Sequence, residues 1–125
     1  MLKDKLWGQT RCIHVDRHTE LHHASIHAGG YSSRHSHTYK HNLFYVLSGE
    51  LKVHRYDPDE PPVVLRAGEA YTAPAGRDHR FEAVAAVELI ELYWPVHGAD
   101  LDPDDIVRLD IGGLAADDPA VRTSP

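Results

Sequence analysis

The sequence is poor in cysteine, in basic clusters and in long apolar runs, and each shortage removes a class of function. Cys12 is the only cysteine, which excludes an internal disulfide and a cysteine-based zinc site. No run of lysine and arginine could follow a phosphate backbone, and the formal net charge is −6 with histidine neutral. Nucleic acid is therefore not an expected partner. No apolar stretch approaches the ~20 residues that span a bilayer. The opening Met1-Leu2-Lys3-Asp4-Lys5 leads into no apolar segment of signal-peptide type. A cytoplasmic protein with no membrane partner is the expectation. There is no internal repeat, no dividing linker, and no convincing helical periodicity before residue 100.

What is present is a series of short β signals. The 125 residues suit one domain, read here as 1–114, with 115–125 a flexible tail of small and polar residues. Arg11–Val15 and Glu20–Ala28 read as strands with mixed alternation. Asn42–Arg55 is the strongest β signal and reads as a hairpin turning at Ser48-Gly49. Val63–Leu65 and Ala70–Ala73 are short strands, and Arg80–Tyr93 reads as two. Asp102-Pro103 carries the signature of a helix start, so a short helix or single turn follows. Short strands with glycine turns point to an all-β sandwich or barrel.

Histidine is the abundant residue: of eleven copies, nine crowd between His14 and His54, and only His79 and His97 lie beyond. Taken singly, most would be solvated surface residues. Spacing discriminates. His35-Ser36-His37 places two imidazoles on one face of a strand, where they can share a metal. His79 follows the tight Pro74-Ala75-Gly76 turn, which can aim it at the same point.

These residues resemble the cupin superfamily. Its first motif runs Gly29, five residues, His35-Ser36-His37, four residues, Asn42, six residues, Gly49. Its second runs Gly68, five residues, Pro74, Ala75, Gly76, two residues, His79, three residues, Ala83. The resemblance implies an all-β cupin barrel, a double-stranded β-helix or jelly roll, with a short helical or irregular C-terminal segment. It also implies a divalent metal on His35, His37 and His79. Two positions depart from the pattern. Asn42 stands where the family has a glutamate ligand, and Ala83 where it has asparagine. The fourth ligand is then Asn42, water, or His41 if a bulge turns that residue inward. A neutral imidazole set favours Fe, Zn or Ni, with Mn possible. The chain ends, around Trp7-Gly8-Gln9-Thr10 and Asp105–Gly113, are loosely similar to sugar-phosphate isomerase cupins.

Alternation along β segments assigns further residues. Phe44 and Val46 face inward with Asn42, whereas Tyr45 and Leu47 face outward. Phe81 shares the face of His79; Arg80 points away, as Arg34 does beside His35. Of the two glutamates in Val87–Trp94, Glu91 is the candidate for an inner catalytic group, a general base or a partner of a ligand, while Glu88 faces solvent. Tyr31, Tyr39, Tyr71 and Tyr93 read as packing residues with hydroxyls near the mouth, and Lys40 as a solvated loop lysine. The expected function is a metal-dependent enzyme of three-His dioxygenase or isomerase type acting on a small polar metabolite. The alternatives are a non-catalytic binder of a sugar or acid and a barrel that serves only assembly. The small barrel's apolar strands suggest a homodimer.

Overall fold

Two long strands form the spine of the molecule. The computed structural model describes residues 2–56 and 60–115. Strand β6 (Lys40–Arg55) and strand β9 (His79–Pro95) pair antiparallel from Lys40↔Pro95 to Arg55↔His79. The outer edge of β9 carries β3 (Glu20–Ile26) along one half, in register from Glu20↔Tyr93 to Ile26↔Val87. Its other half carries β4 (Gly30–Tyr31) and β5 (His35–Ser36). The outer edge of β6 carries β8 (Ala70–Ala73) and β7 (Val63–Arg66). Strands β1 (Leu2–Lys5) and β2 (Gly8–Val15) extend the β3 side. Two bridges from the C-terminal segment, β10 (Val107–Arg108) on β5 and β11 (Gly113–Leu114) on β4, complete a nearly closed barrel. Among the described residues no helix is long and apolar enough to cross a membrane.

The expected hairpin at Ser48-Gly49 is not a hairpin. β6 continues through it as one strand, and its register with β9 shifts between Val46 and Leu51. The cause is a bulge, in which extra residues on one strand bend both. Its signature is a change of phase. Before it Lys40, Asn42, Phe44 and Val46 are buried; after it the buried positions are Leu51 and Val53. β9 keeps one phase throughout, with His79, Phe81, Ala83, Val87, Leu89 and Glu91 inside. The two strands expected across Arg80–Tyr93 are likewise one. Each long strand thus bends from one half of the barrel into the other.

The core is the inner face of these strands. Phe44, Val46, Leu51, Val53, Phe81, Ala83, Val87 and Leu89 pack with Ala24 and Ile26 of β3, and with Trp7 against the side. Tyr45 and Leu47 are exposed, as their alternation requires. At the C-terminal end the helix start resolves as a turn. The Asp102 side chain accepts from the Asp104 amide, and its carbonyl from the Asp105 amide. Asp105 then caps the amides of Thr38 and Tyr39 at 2.9 and 2.7 Å, and Asp110 takes the Arg34 amide at 2.7 Å. The segment is strapped across the loop that carries His35 and His37. Of the expected tail, Ala115 donates to the Gly29 carbonyl, and 116–125 lie outside the described residues.

Gly49 has φ +92°, and a Cβ there would lie 2.0 Å from the Ala86 carbonyl oxygen of β9. Gly68 has φ +84° with nothing within 4 Å of the same atom. Both alanine variants bear the left-handed cost of about 1–2 kcal/mol. Only Gly49→Ala must also push the two central strands apart. Chemical denaturation is expected to show Gly68→Ala losing about 1–2 kcal/mol and Gly49→Ala clearly more; equal losses would contradict the bulge.

Candidate metal centre

The three motif histidines converge because of strand register. His35 on β5 sits directly opposite His79, the first residue of β9, and opposed residues share a face. His37 lies two residues on, and its carbonyl accepts from the Gly76 amide of the turn that leads into His79 at 2.7 Å. The ring centroids are 4.4 Å (His35–His79), 5.0 Å (His35–His37) and 5.4 Å (His37–His79) apart. One nitrogen from each ring lies within 4.8 Å of the others. All three rings are buried.

Backbone carbonyls orient these rings. Nδ1 of His35 lies 2.7 Å from the Ser33 carbonyl oxygen, that of His37 2.7 Å from the Asp105 carbonyl oxygen, and that of His79 3.2 Å from the Arg77 carbonyl oxygen. A carbonyl only accepts, so each Nδ1 carries the proton and each Nε2 keeps its lone pair. The Nε2 atoms of His37 and His79 are buried with no protein partner. Burial lowers all three imidazoles to about 4, reinforced by His37 beside His35, by His79 beside His37 and by His35 beside His79. The site is therefore three neutral nitrogen donors, held by second hydrogen bonds of the kind that metal-binding histidines use. That donor set fits a divalent transition ion such as Fe, Zn or Ni.

The fourth position separates Asn42 from His41. Asn42 is 1% exposed on the inner face of β6, and neither atom of its amide has a protein partner. Leaving a buried amide unpaired costs about 1–3 kcal/mol, so its amide is available to a guest. His41 is not brought to the cluster. From Lys40 to Val46 the register with β9 is unbroken, so no bulge turns it inward. Its Nδ1 accepts from the Ala75 amide at 3.0 Å, and its ring leans on Trp94.

Beside the histidines lies a second polar group, most of which the sequence reading missed. Glu91 is on the inner face, and Tyr93 donates its hydroxyl to Glu91 Oε2 at 2.6 Å. The Tyr93 ring stands edge-on to His37 at 5.2 Å. Opposite them in register on β3 are Glu20 and His22, joined Nε2 to Oε2 at 2.6 Å. Lys40, expected in a solvated loop, is 3% exposed. Its ammonium donates to Glu20 Oε1 and the Asp102 carbonyl at 3.1 Å and to the Pro103 carbonyl at 3.3 Å, 4.5 Å over the Tyr93 ring. A buried ammonium is tolerated because it is paired and fully bonded. The available signal was its phase: Lys40 is two residues from Asn42 and four from Phe44.

Burial opposes ionisation of Glu20, but the bond to His22 and the charge of Lys40 outweigh it and hold the carboxyl low. Glu91 goes the other way, because burial raises it more than Tyr93 and His22 lower it. Glu20, His22, Lys40, Glu91 and Tyr93 line a cavity of about 390 Å³ together with His35, His37, Phe44 and Phe81. Arg80 turns outward to Asp110, and Arg34 to Asp78 and the Tyr56 ring.

Unfolded histidines titrate near 6.5 and the folded three near 4. Between those values the unfolded chain binds more protons, so stability is present above 6.5 and is lost as pH falls towards 4. Thermal melts of metal-free protein should therefore drop steeply from pH 7 to 4.5, and the drop should shrink in His79→Gln. A drop of equal size in the variant would contradict the burial of a neutral His79.

The family profile described as a cupin domain matches residues 22–93, more than half of the chain. Solved structures agree in fold. KdgF from Halomonas sp. is 20% identical with a TM-score of 0.68, over 76% of this chain and 87% of that one. An RmlC-like cupin from Shewanella frigidimarina is 20% identical with a TM-score of 0.67, over 78% and 86%. Streptomyces Pac13 with uridine is 14% identical with a TM-score of 0.71, over 89% and 84%. Among curated proteins none matches. With the barrel, the two motifs and the domain match in agreement, the chain belongs to the cupin family.

Proposed function

We propose that the protein is a metal-dependent enzyme of isomerase or lyase type, which moves a proton on a small polar metabolite. The observation that carries this reading is the Glu91–Tyr93 pair opening onto the same cavity as His35 and His37. The three Nε2 atoms would hold the divalent ion, with the Asn42 amide oxygen as fourth ligand. The ion would supply Lewis-acid polarisation of a carbonyl or hydroxyl oxygen.

The chain's own residues supply the rest. Tyr93 occupies Glu91 Oε2 and fixes the carboxyl, which leaves Oε1 to take a proton from substrate carbon and return it. Burial raises the Glu91 carboxyl and so makes it a stronger base. Phe44 and Phe81 form an apolar wall that limits water around the transferring proton. Lys40 holds the Asp102–Pro103 turn against the barrel and so fixes the cavity wall. Pac13, which shares the fold, is described as a nucleoside dehydratase; elimination is one reaction that such a base can serve.

A second reading rests on Asn42. A neutral amide in place of a carboxylate leaves an all-neutral ligand set with an open position, which suits a three-His dioxygenase. A binder without turnover is the third reading.

Solvent-deuterium incorporation separates them. In D2O, metal-loaded protein with a panel of ketoses, 2-keto acids and uronates is expected to exchange a carbon-bound hydrogen. Glu91→Gln should slow that exchange about 10²–10⁴-fold at unchanged metal content. Oxygen uptake without exchange would favour the dioxygenase, and inertness in both assays the binder.

A further inference from the structure

We infer that Lys3, Lys5 and Arg108 form an anion-binding rim on the cavity, so that the ligand of the three-His centre is a small organic anion bearing a carboxylate or phosphate group. This inference rests on the reading above that the cavity is the substrate site.

The placement is set by strand geometry. Lys3 and Lys5 are two apart on β1 and so share a face, and both line the cavity. Arg108 on β10 sits directly opposite His35. Opposed residues of an antiparallel pair project to the same side, so the guanidinium flanks the metal-binding face; it too lines the cavity. Three cations from two separate strands thus converge on one opening.

None of the three has a counter-ion among the described residues. Arg11 and Lys52 also lack one but do not line the cavity, and the other cations among the described residues are paired. Arg17 pairs with Asp100, Arg34 with Asp78, Arg66 with Glu50 and Arg80 with Asp110. Arg55 and Arg77 both reach Glu60, and Lys40 pairs with Glu20. The acids that could neutralise the rim are engaged elsewhere. Glu20 is held by His22 and Lys40, Glu91 by Tyr93, and Asp110 by Arg80 and the Arg34 amide. The rim cations also repel one another. Burial, then Arg108 and Lys3, lower the Lys5 ammonium, and Glu91 only partly opposes this.

A chain of net charge −6 has no general attraction for anions. A local excess of positive charge around one concave site is what attracts and orients them. Arg108 offers a planar fork for two oxygens of a carboxylate or phosphate, while the lysines can follow the charge as point donors.

The test uses three probes on one scaffold: glycerate, glycerol 3-phosphate and uncharged glycerol. Binding is read by the fluorescence of Trp7, which lines the cavity, at low salt, with metal-loaded and metal-free protein. At least one anion should bind roughly tenfold or more tighter than glycerol, and added salt should weaken it. Whichever anion is preferred identifies carboxylate or phosphate as the recognised group. In the Lys3→Met/Lys5→Met/Arg108→Met variant both anions should fall to the level of glycerol, with metal content unchanged. Lys5→Arg, which keeps the charge, should retain the preference and guards against a folding defect. Equal binding of all three probes, or a preference that survives in the folded triple variant, would overturn the inference. Failure of the chain to take up metal would instead sink the reading of the centre, because the rim would still bind anions in the metal-free protein.

Discussion

The register between Lys40–Arg55 and His79–Pro95 is the constraint on which the rest of the molecule depends. It brings Asn42 opposite Tyr93 and Phe44 opposite Glu91, while His79 begins the same strand at the far end. The bulge at Val46–Leu51 lets both strands bend while hydrophobic residues still face inward on either side of it. A one-residue slip on either side would turn Asn42 and Phe44 outward and bring His41 and Tyr45 inside. The chemistry of the interior is therefore a consequence of pairing.

Within that frame, desolvation acts in opposite senses on the two polar groups. On the histidines it suppresses protonation and leaves three lone pairs available at neutral pH. On Glu91 it raises the carboxyl, while Glu20, paired to His22 and Lys40, stays low. Two carboxylates in one cavity are thus driven apart in basicity, as the proposed proton transfer by Glu91 would require. The C-terminal segment takes part in both groups: the Asp105 carbonyl orients His37, and the Asp102 and Pro103 carbonyls anchor Lys40.

Much of this was legible in the sequence, for reasons that also explain the gaps. The three histidines sit at spacings fixed by a tight turn and a two-residue strand repeat, which are local properties. The inward phase of Asn42, Phe44 and Val46 follows from the same alternation, as does the inward placement of Glu91. Gly49 misled because a positive φ serves a hairpin turn and a bulge equally. The deciding contact, with the Ala86 carbonyl, is made by a residue far along the chain. Lys40 misled because a lone lysine reads as solvated until its partners are known. Glu20 lies twenty residues before it and Asp102 and Pro103 more than sixty after it.

The chemistry proposed for the cavity requires that His35, His37 and His79 together hold one divalent ion. Anomalous diffraction from zinc-soaked crystals, measured on both sides of the zinc absorption edge, tests it most directly. One strong peak is expected, bound by the Nε2 atoms of those three residues, with Asn42 turned towards it and His41 uninvolved. A peak elsewhere, or none at the three histidines at full zinc saturation, would contradict it.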